Sequence, residues 1–483
     1  MSINENVYRN PLEPPNGTSV KWWAMLGVGL GVLMFTIDTS IVNIALPTLV
    51  RVFHTNFATI QWVVLSYLLV VTAVVLGAAR LGDMLGKKPL YLGGLILFTI
   101  SSLLCGLAPG DYWLIGFRAL QGLGAVMISA LGAAIVTEVF PHSERGRALG
   151  IIGAVVSLGV ALGPTVGGLL INIAGWRTIF LVNVPIGIFA SFVVLRSVPA
   201  SIRNNKKQRF DWLGALIMTV ILVCFAVGMT EGQNHGFTNS RTLGLLAIAA
   251  VGLVSFLWIE SHITQPMLDL QMFRNMQFSL SLLTALLVFV VITGVIFIIP
   301  FFLELVLHYP TQKVGLLLAV SPVLGGIFAP FSGNLSDRFG TRIISLIGLL
   351  LMTVGCLAIS TFDTHLTELG YIVRVVPYGI GFGMFQSPNN SAILGQVPPE
   401  RLGIASGLLS LSRTLGQTIG LAIMGTLFAL LTLSSSSATD VTTAPPEALV
   451  MGVQGTFRIA AVVLFVAAAL VTFLWRMKQD ESK

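Results

Sequence analysis

Two charged residues stand where charge is costly. Asp38 is the one charged side chain in the apolar run 22–47, and Arg118 the one in the run 112–137. A charge at the centre of a bilayer costs about 2.5 kcal/mol or more, so it needs a partner, a function or both. Asp38 lies nine residues before Pro47, about 14 Å along a helix rising 1.5 Å per residue. Arg118 lies about six residues into its own run, or about 9 Å. The depths match to about one turn, so the two can pair and offset each other's desolvation. Desolvation favours the neutral form of a carboxyl group and a nearby guanidinium favours its anion. If conformation changes either influence, proton binding follows the side to which the protein opens. The alternative is a static structural ion pair. The six histidines, His54, His142, His235, His262, His308 and His365, all fall in loops or at run ends and do not compete for this chemistry.

Other charges are placed less tellingly. Glu304, at one end of the run 278–303, is a candidate second proton site or a solvated helix-end residue. Arg374, Arg413 and Arg458 fall inside runs with no acid at matching depth. Glu138 is expected to pair with Lys87 or Lys88, and Asp83 to meet a helix N-terminus of the opposite half, as contacts made in one state and broken in another. Gly159, Gly163, Gly167 and Gly168 permit close helix approach, and Pro164 removes a backbone donor and permits a kink. Ordinary small-residue packing is the plainer reading of that run.

These residues must be held by membrane helices. The chain has 483 residues, 55% apolar and 10% charged, against about 25% charged in a typical soluble domain. Mean hydropathy is +0.89. A soluble globule, a disordered chain and a nucleic-acid binder are all excluded by this balance. Fourteen apolar runs are expected to span: 22–47, 59–79, 90–108, 112–137, 147–172, 178–198, 212–229, 242–260, 278–303, 313–333, 343–361, 369–393, 402–432 and 453–475. Residues 1–20 contain neither a short apolar core nor a cleavage site, so the first run is expected to remain as a span. With both termini inside, inside segments hold nineteen Lys and Arg, outside loops four (Arg51, Arg177, Arg241, Lys313), and spans four. That asymmetry orients the chain with cytoplasmic termini in the cell (inner or plasma) membrane. It also accounts for the net charge of +7. The Ser/Thr-rich loop 433–452 is expected to be a mobile linker. Cys105, Cys224 and Cys356 have no metal or redox spacing.

The chain repeats itself. Gly82-Asp83-Met84-Leu85-Gly86-Lys87-Lys88 follows the second run, and Ser336-Asp337-Arg338-Phe339-Gly340-Thr341-Arg342 follows the tenth, each carrying D-x-x-G and then a basic residue. One copy would be read as a tight turn. Two copies after equivalent runs, with Arg118 and Arg374 opening the fourth and twelfth, mark two homologous halves. The expected organisation is a cytoplasmic segment at 1–21 and a six-helix bundle at 22–198. An inserted region follows at 199–277, with its transmembrane hairpin, then a second bundle at 278–475 and a tail at 476–483. Two bundles rocking about a midplane cavity are the architecture of secondary transporters.

The strings Ile37-Asp38-Thr39-Ser40-Ile41-Val42-Asn43-Ile44-Ala45-Leu46-Pro47, Gln61-Trp62 with Tyr67-Leu68-Leu69, Gly159-x-x-x-Gly163-Pro164-x-x-Gly167-Gly168, Gly175-Trp176-Arg177 and Asn183-Val184-Pro185-Ile186-Gly187 carry a close resemblance. Across nearly its whole length the chain resembles the major facilitator superfamily, in particular its 14-helix drug:proton antiporter branch. The chain departs from that pattern at Ala79 and Met84, where the inside-loop motif usually has Gly and a basic residue. The resemblance implies an all-α polytopic fold of two six-helix bundles plus an inserted two-helix hairpin. It implies proton coupling through the first-span acid, and the glycine-rich fifth span as a tight, bending seam in an exporter.

A cavity of Asn43, Gln61, Trp62, Tyr67, Phe297, Phe301, Tyr378, Phe382, Gln386 and Asn389, with Arg374 and Arg413, would suit amphipathic or cationic organic compounds. There is no G-x-x-x-x-G-K-[ST], H-E-x-x-H or G-x-S-x-G, so neither ATP nor common hydrolase chemistry is expected. No selectivity-filter-like segment is present. The expected partners are a small-molecule substrate, protons and the lipid bilayer, with no nucleic acid, no metal and no cofactor, in a monomer driven by the proton gradient. A proton-driven exporter of an endogenous lipid or metabolite and a non-transporting sensor or scaffold are the alternatives.

Overall fold

The computed structural model describes residues 18–141, 144–199, 211–263, 270–397 and 402–481. The expected segment up to residue 17, most of the basic loop 199–211, part of 261–277 and the last two residues lie outside the described residues. Every regular element among the described residues is helical. Inside a bilayer a helix is one of the two permitted solutions, because it satisfies its backbone groups within itself.

Among the described residues fourteen long helices make up the bundle. They are α1 (Thr18–Phe53), α2 (Trp62–Leu85), α3 (Lys87–Gly106), α4 (Asp111–Val139), α5 (Arg145–Ala174), α6 (Asn183–Ser197), α7 (Trp212–His235), α8 (Ser240–Glu260), α9 (Met276–Phe301), α10 (Val320–Phe339), α11 (Thr341–Ile359), α12 (Glu368–Leu394), α13 (Leu402–Ser434) and α14 (Pro446–Glu481). Short helical segments at Phe57–Ile60, Thr178–Leu181 and Thr311–Leu318 lead into α2, α6 and α10. Several helices run a turn or more beyond their apolar runs, because polar residues at helix ends reach water without breaking the backbone ladder. By length and composition thirteen helices among the described residues can cross a membrane. The fourteenth, α12, is diluted by Arg374, Pro377, Pro388 and Asn389 but is 27 residues long and packs against α10 and α11.

The two halves repeat in three dimensions. In the first, α1 packs on α5 and α6, α4 on α2 and α3, and α3 on α6. In the second, α9 packs on α13 and α14, α12 on α10 and α11, and α11 on α14. Each pairing in one half has its counterpart eight helices later. Helices α7 and α8 form the inserted hairpin, and α7 packs against α2 and α13, one from each half.

The loop 433–452 corrects an expectation. It is not a free linker: Val441 is buried, and a 3-10 turn covers Val441–Thr443. Asp440 accepts from the backbone N–H of Phe57 at 3.1 Å and of Thr442 at 2.9 Å. The Ser/Thr-rich composition concealed one aspartate able to cap two turns at once.

Candidate functional site

The core of the first half holds a buried polar network centred on Asp38. Its side chain is fully buried and that of Arg118 is 1% exposed. The Arg118 Nη1 donates to Asp38 Oδ2 at 2.6 Å. Gln121 Nε2 and Asn183 Nδ2 donate to the other oxygen, Oδ1, at 2.9 and 3.0 Å. Thus α1, α4 and α6 each contribute to one carboxylate. Arg118 also donates from Nε to Val63 O at 3.0 Å and from Nη1 to Gln121 Oε1 at 2.6 Å. Its guanidinium lies 4.2 Å from the centre of the Tyr67 ring, and Gln121 Nε2 further donates to Ser102 Oγ at 2.8 Å. A buried ion pair withstands desolvation best when its remaining donors and acceptors are satisfied, and here both Asp38 oxygens and the Nε and Nη1 of Arg118 are engaged. Sequence reasoning placed the pair but missed Gln121 and Asn183 as its partners. Gln121 is three residues from Arg118 and so shares its helix face, a signal that was available.

Glu304 is not a solvated helix-end residue. A π-helical turn at Phe302–Val306 ends α9 and holds the Glu304 side chain 3% exposed. Arg51, 63% exposed at the end of α1, donates to its Oε2 at 2.9 Å. This bond joins the two halves at the distal end of the bundle, opposite the chain termini. Beside it is a cavity of about 380 Å³ lined by Arg51, Asn172, Glu304, His308, Tyr309, Pro310 and Thr311. Asn172 donates to Gln312 at 3.3 Å across the same junction. Phe57 closes it further, packing 5.3 Å from Phe297, 5.0 Å from Phe301 and 5.6 Å from Phe428. The distal end is therefore closed.

The two loop motifs sit at the other end. Gly86 and Gly340 end α2 and α10 with φ of 98° and 88°, and each N–H returns to a carbonyl four residues earlier. Only glycine adopts that backbone cheaply, which explains why the repeat keeps it. Lys87 pairs with Glu138 as expected, but both belong to the first half, on α3 and α4. The pair therefore lies within the first half. Lys88 donates to Leu195 O and Val198 O at the end of α6, where a cation complements the helix dipole. The backbone of Gly82 and Asp83 is in α2, while the Asp83 side chain lies outside the described residues. Asp337, Arg338 and Gly340 are exposed, and Arg342 donates to Gln277 at 2.6 Å within the second half.

The glycines of α5 lie against α1. A Cβ on Gly159 would overlap Thr36, one on Gly163 would overlap Ser40, and one on Gly167 would come within 2.5 Å of Ile41. Gly168 instead faces the second half, where a Cβ would lie 2.6 Å from Thr311 O. Pro164 lies inside an unbroken helix, and its carbonyl meets Gly315 of the Thr311–Leu318 segment.

The expected cavity residues divide among several places. Phe297 and Phe301 are fully buried in the distal aromatic cluster, which removes them from an open cavity. Gln61 is fully buried at the same end, and the half-buried Trp62 starts α2 beside it. Tyr67 belongs to the Arg118 network, and Asn43 is turned back to donate to Thr39 O at 3.0 Å. Arg374 sits near the distal end of α12, donating to Thr361 Oγ1 at 2.9 Å. Tyr378 and Asn389 are buried, while Phe382 and Gln386 are partly exposed. Arg413 lies 5.6 Å from the Phe289 ring centre and donates to Asn390 Oδ1 at 2.8 Å, so its partner is a neutral amide and not an acid. Among the described residues no group of His, Cys, Asp and Glu is arranged to hold a metal.

The model of the Major Facilitator Superfamily matches residues 28–421 and 282–483. The chain is 37% identical over 406 residues to the multidrug resistance protein Stp of Mycobacterium tuberculosis (strain CDC 1551 / Oshkosh), covering 84% of this chain and 75% of that one. It is 34% identical over 462 residues to the riboflavin transporter RibZ of Clostridioides difficile (strain 630), covering 96% and 99%. Its fold matches a bacterial homolog of the human lysosomal transporter Spinster with a TM-score of 0.71 at 17% identity, covering 95% and 98%. Two repeated six-helix bundles, an inserted hairpin and these matches lead to one conclusion: the chain belongs to the Major Facilitator Superfamily and is a multi-pass membrane transporter.

Proposed function

We propose that the protein is a proton-coupled exporter of amphipathic or cationic organic compounds. The observation that carries this reading is the Asp38–Arg118 pair, buried in a helix bundle with both carboxylate oxygens hydrogen-bonded. Arg118 keeps Val63 O and Gln121 Oε1 as acceptors, and the Tyr67 face, when Asp38 is neutralised. These neutral partners do not replace the counter-ion, so neutralising Asp38 leaves a buried cation that a rearrangement of the bundle has to accommodate, and that is the link between proton uptake and conformation on which this reading rests. The multidrug resistance relatives support cargo of this class. Glu304 is read as a second proton site at the distal end. Asp337, Arg338 and Arg342 are read as part of the terminal-end gate, and Phe382, Gln386 and Arg413 as the cargo-facing surface of the second half. The units that move are read as 22–198 and 278–475, in a monomer with cytoplasmic termini.

The test is transport in proteoliposomes with an imposed pH gradient. Asp38→Asn is expected to abolish uphill accumulation of a lipophilic cation while leaving its binding in place. Undiminished uphill accumulation by the variant would refute proton coupling at this carboxylate.

A metabolite transporter is a second reading, favoured by the nearly end-to-end match to the riboflavin transporter. Parallel transport of riboflavin and lipophilic cations by the purified protein separates the two: a preference for riboflavin selects this reading.

A further inference from the structure

The internal repeat creates two seams between the halves. One runs between α2 and α13, the other between α10 and α5, and the repeat maps each onto the other. A strictly symmetric molecule would expose both equally to lipid. In this one α7 lies against both α2 and α13. Near its distal end Gln233 joins the two halves directly. Its Nε2 donates to Gln61 Oε1 at 3.3 Å and to Thr426 Oγ1 at 2.7 Å, and its Oε1 accepts from Gln61 Nε2 at 3.4 Å. α8 packs on α7 and turns outward.

Burial records the asymmetry. Of the most apolar 18 residues, 78% are buried in the span containing α2 and 56% in that containing α13, against 22% in each of those containing α5 and α10. The α5–α10 seam is held at the distal end by the Thr311–Leu318 segment against Pro164 and Gly168. Farther along, Ser157 Cβ lies 3.8 Å from where a Cβ on Gly326 would be. Around this point α5 is exposed at Gly153 and Leu158, and α10 is exposed at Ile327 and Phe331. These exposed surfaces are apolar or small.

We propose that the inserted hairpin makes lateral access one-sided. It seals the α2–α13 seam against lipid and leaves the α5–α10 seam as the path by which a membrane-dissolved amphiphile reaches the space between the halves. Such a molecule is already concentrated in the bilayer, since each buried CH₂ adds about 0.8 kcal/mol of partitioning. The proposal rests on the reading of amphipathic cargo and not on proton coupling.

The test uses the full-length protein in liposomes without a gradient, probed with a diazirine-bearing alkyltriphenylphosphonium. Adducts that unlabelled alkyltriphenylphosphonium displaces are expected on α5 and α10 around Ser157 and Ile327, and not around Leu76 and Gly407 at the other seam. Oxidation of a Ser157→Cys/Gly326→Cys pair is expected to abolish displaceable labelling, and reduction to restore it. Gln233→Leu is expected to add displaceable adducts at Leu76 and Gly407. Displaceable labelling that is equal at both seams, confined to α2 and α13, or absent would overturn the proposal. Because labelling is read at equilibrium, Asp38→Asn can fail to transport while this result stands, and the reverse also holds.

Discussion

An arginine and a lysine carry the same charge, but position 118 uses more than charge. Nε and Nη1 of Arg118 serve Val63 O, Gln121 Oε1 and Asp38 Oδ2 at once. A lysine has one nitrogen on a flexible stem and cannot reproduce that fork. Arg118→Lys is therefore expected to abolish coupled transport, with a clear drop in the thermal unfolding midpoint of the detergent-solubilised protein. Transport at the level of the parent protein would show that only the charge matters. Asn183→Leu tests a partner the sequence did not announce. It removes one of two donors to Asp38 Oδ1, at a cost of about 1–3 kcal/mol. Asp38 and Arg118 were legible from the cost of charge in an apolar run. Their neutral partners were not, because an amide is tolerable in many places and only packing shows what it faces.

At the scale of the element, α5 is defined by what it lacks. Gly163 lies so close to Ser40 that a side chain has no room, and Ser40 Oγ reaches Gly159 O at 3.4 Å. Gly163→Ala is expected to destabilise the protein by about 1–3 kcal/mol through overpacking. Adding Ser40→Ala removes the hydroxyl and is expected to recover part of that loss, because Ser40 Cβ would still lie 2.9 Å away. Melting curves of the two single variants and the double variant measure the coupling. The glycine spacing was visible in sequence, and it foretold close approach. Which helix approached was not visible, since Gly159, Gly163 and Gly167 turn to α1 while Gly168 turns to the other half.

For the whole molecule, the two halves are tied at the distal end as well as by the buried Thr72–Thr418 hydrogen bond between α2 and α13, 3.0 Å long. Arg51–Glu304 is a half-exposed pair, and Asp440 reaches across to cap the Phe57 turn. An ion pair with one solvated partner contributes about 1 kcal/mol or less, and a cap about 1 kcal/mol. Contacts of that size are enough to bias two conformations without locking either. Glu304→Gln with Asp440→Ala is expected to lengthen the distance between spin labels on the distal ends of α1 and α9, measured by double electron–electron resonance. An unchanged distance distribution would mean that the aromatic cluster around Phe57 alone sets the closure.

The sequence by itself determined the membrane, the number of spans, the two-fold repeat and the buried charge pair. Each follows from a local cost: backbone groups and charges in hydrocarbon have few permitted solutions, so run length, periodicity and a single aspartate suffice to state them. Tertiary structure alone decided which polar groups complete the Asp38 network, that Lys87–Glu138 stays within one half while Arg51–Glu304 bridges two, and that the hairpin covers one seam and not its twin. Those outcomes depend on contacts between residues up to hundreds of positions apart, such as Gln61 with Gln233 and Phe57 with Asp440. No local cost selects such a pair, because many distant partners would satisfy the same group equally well until the helices are packed.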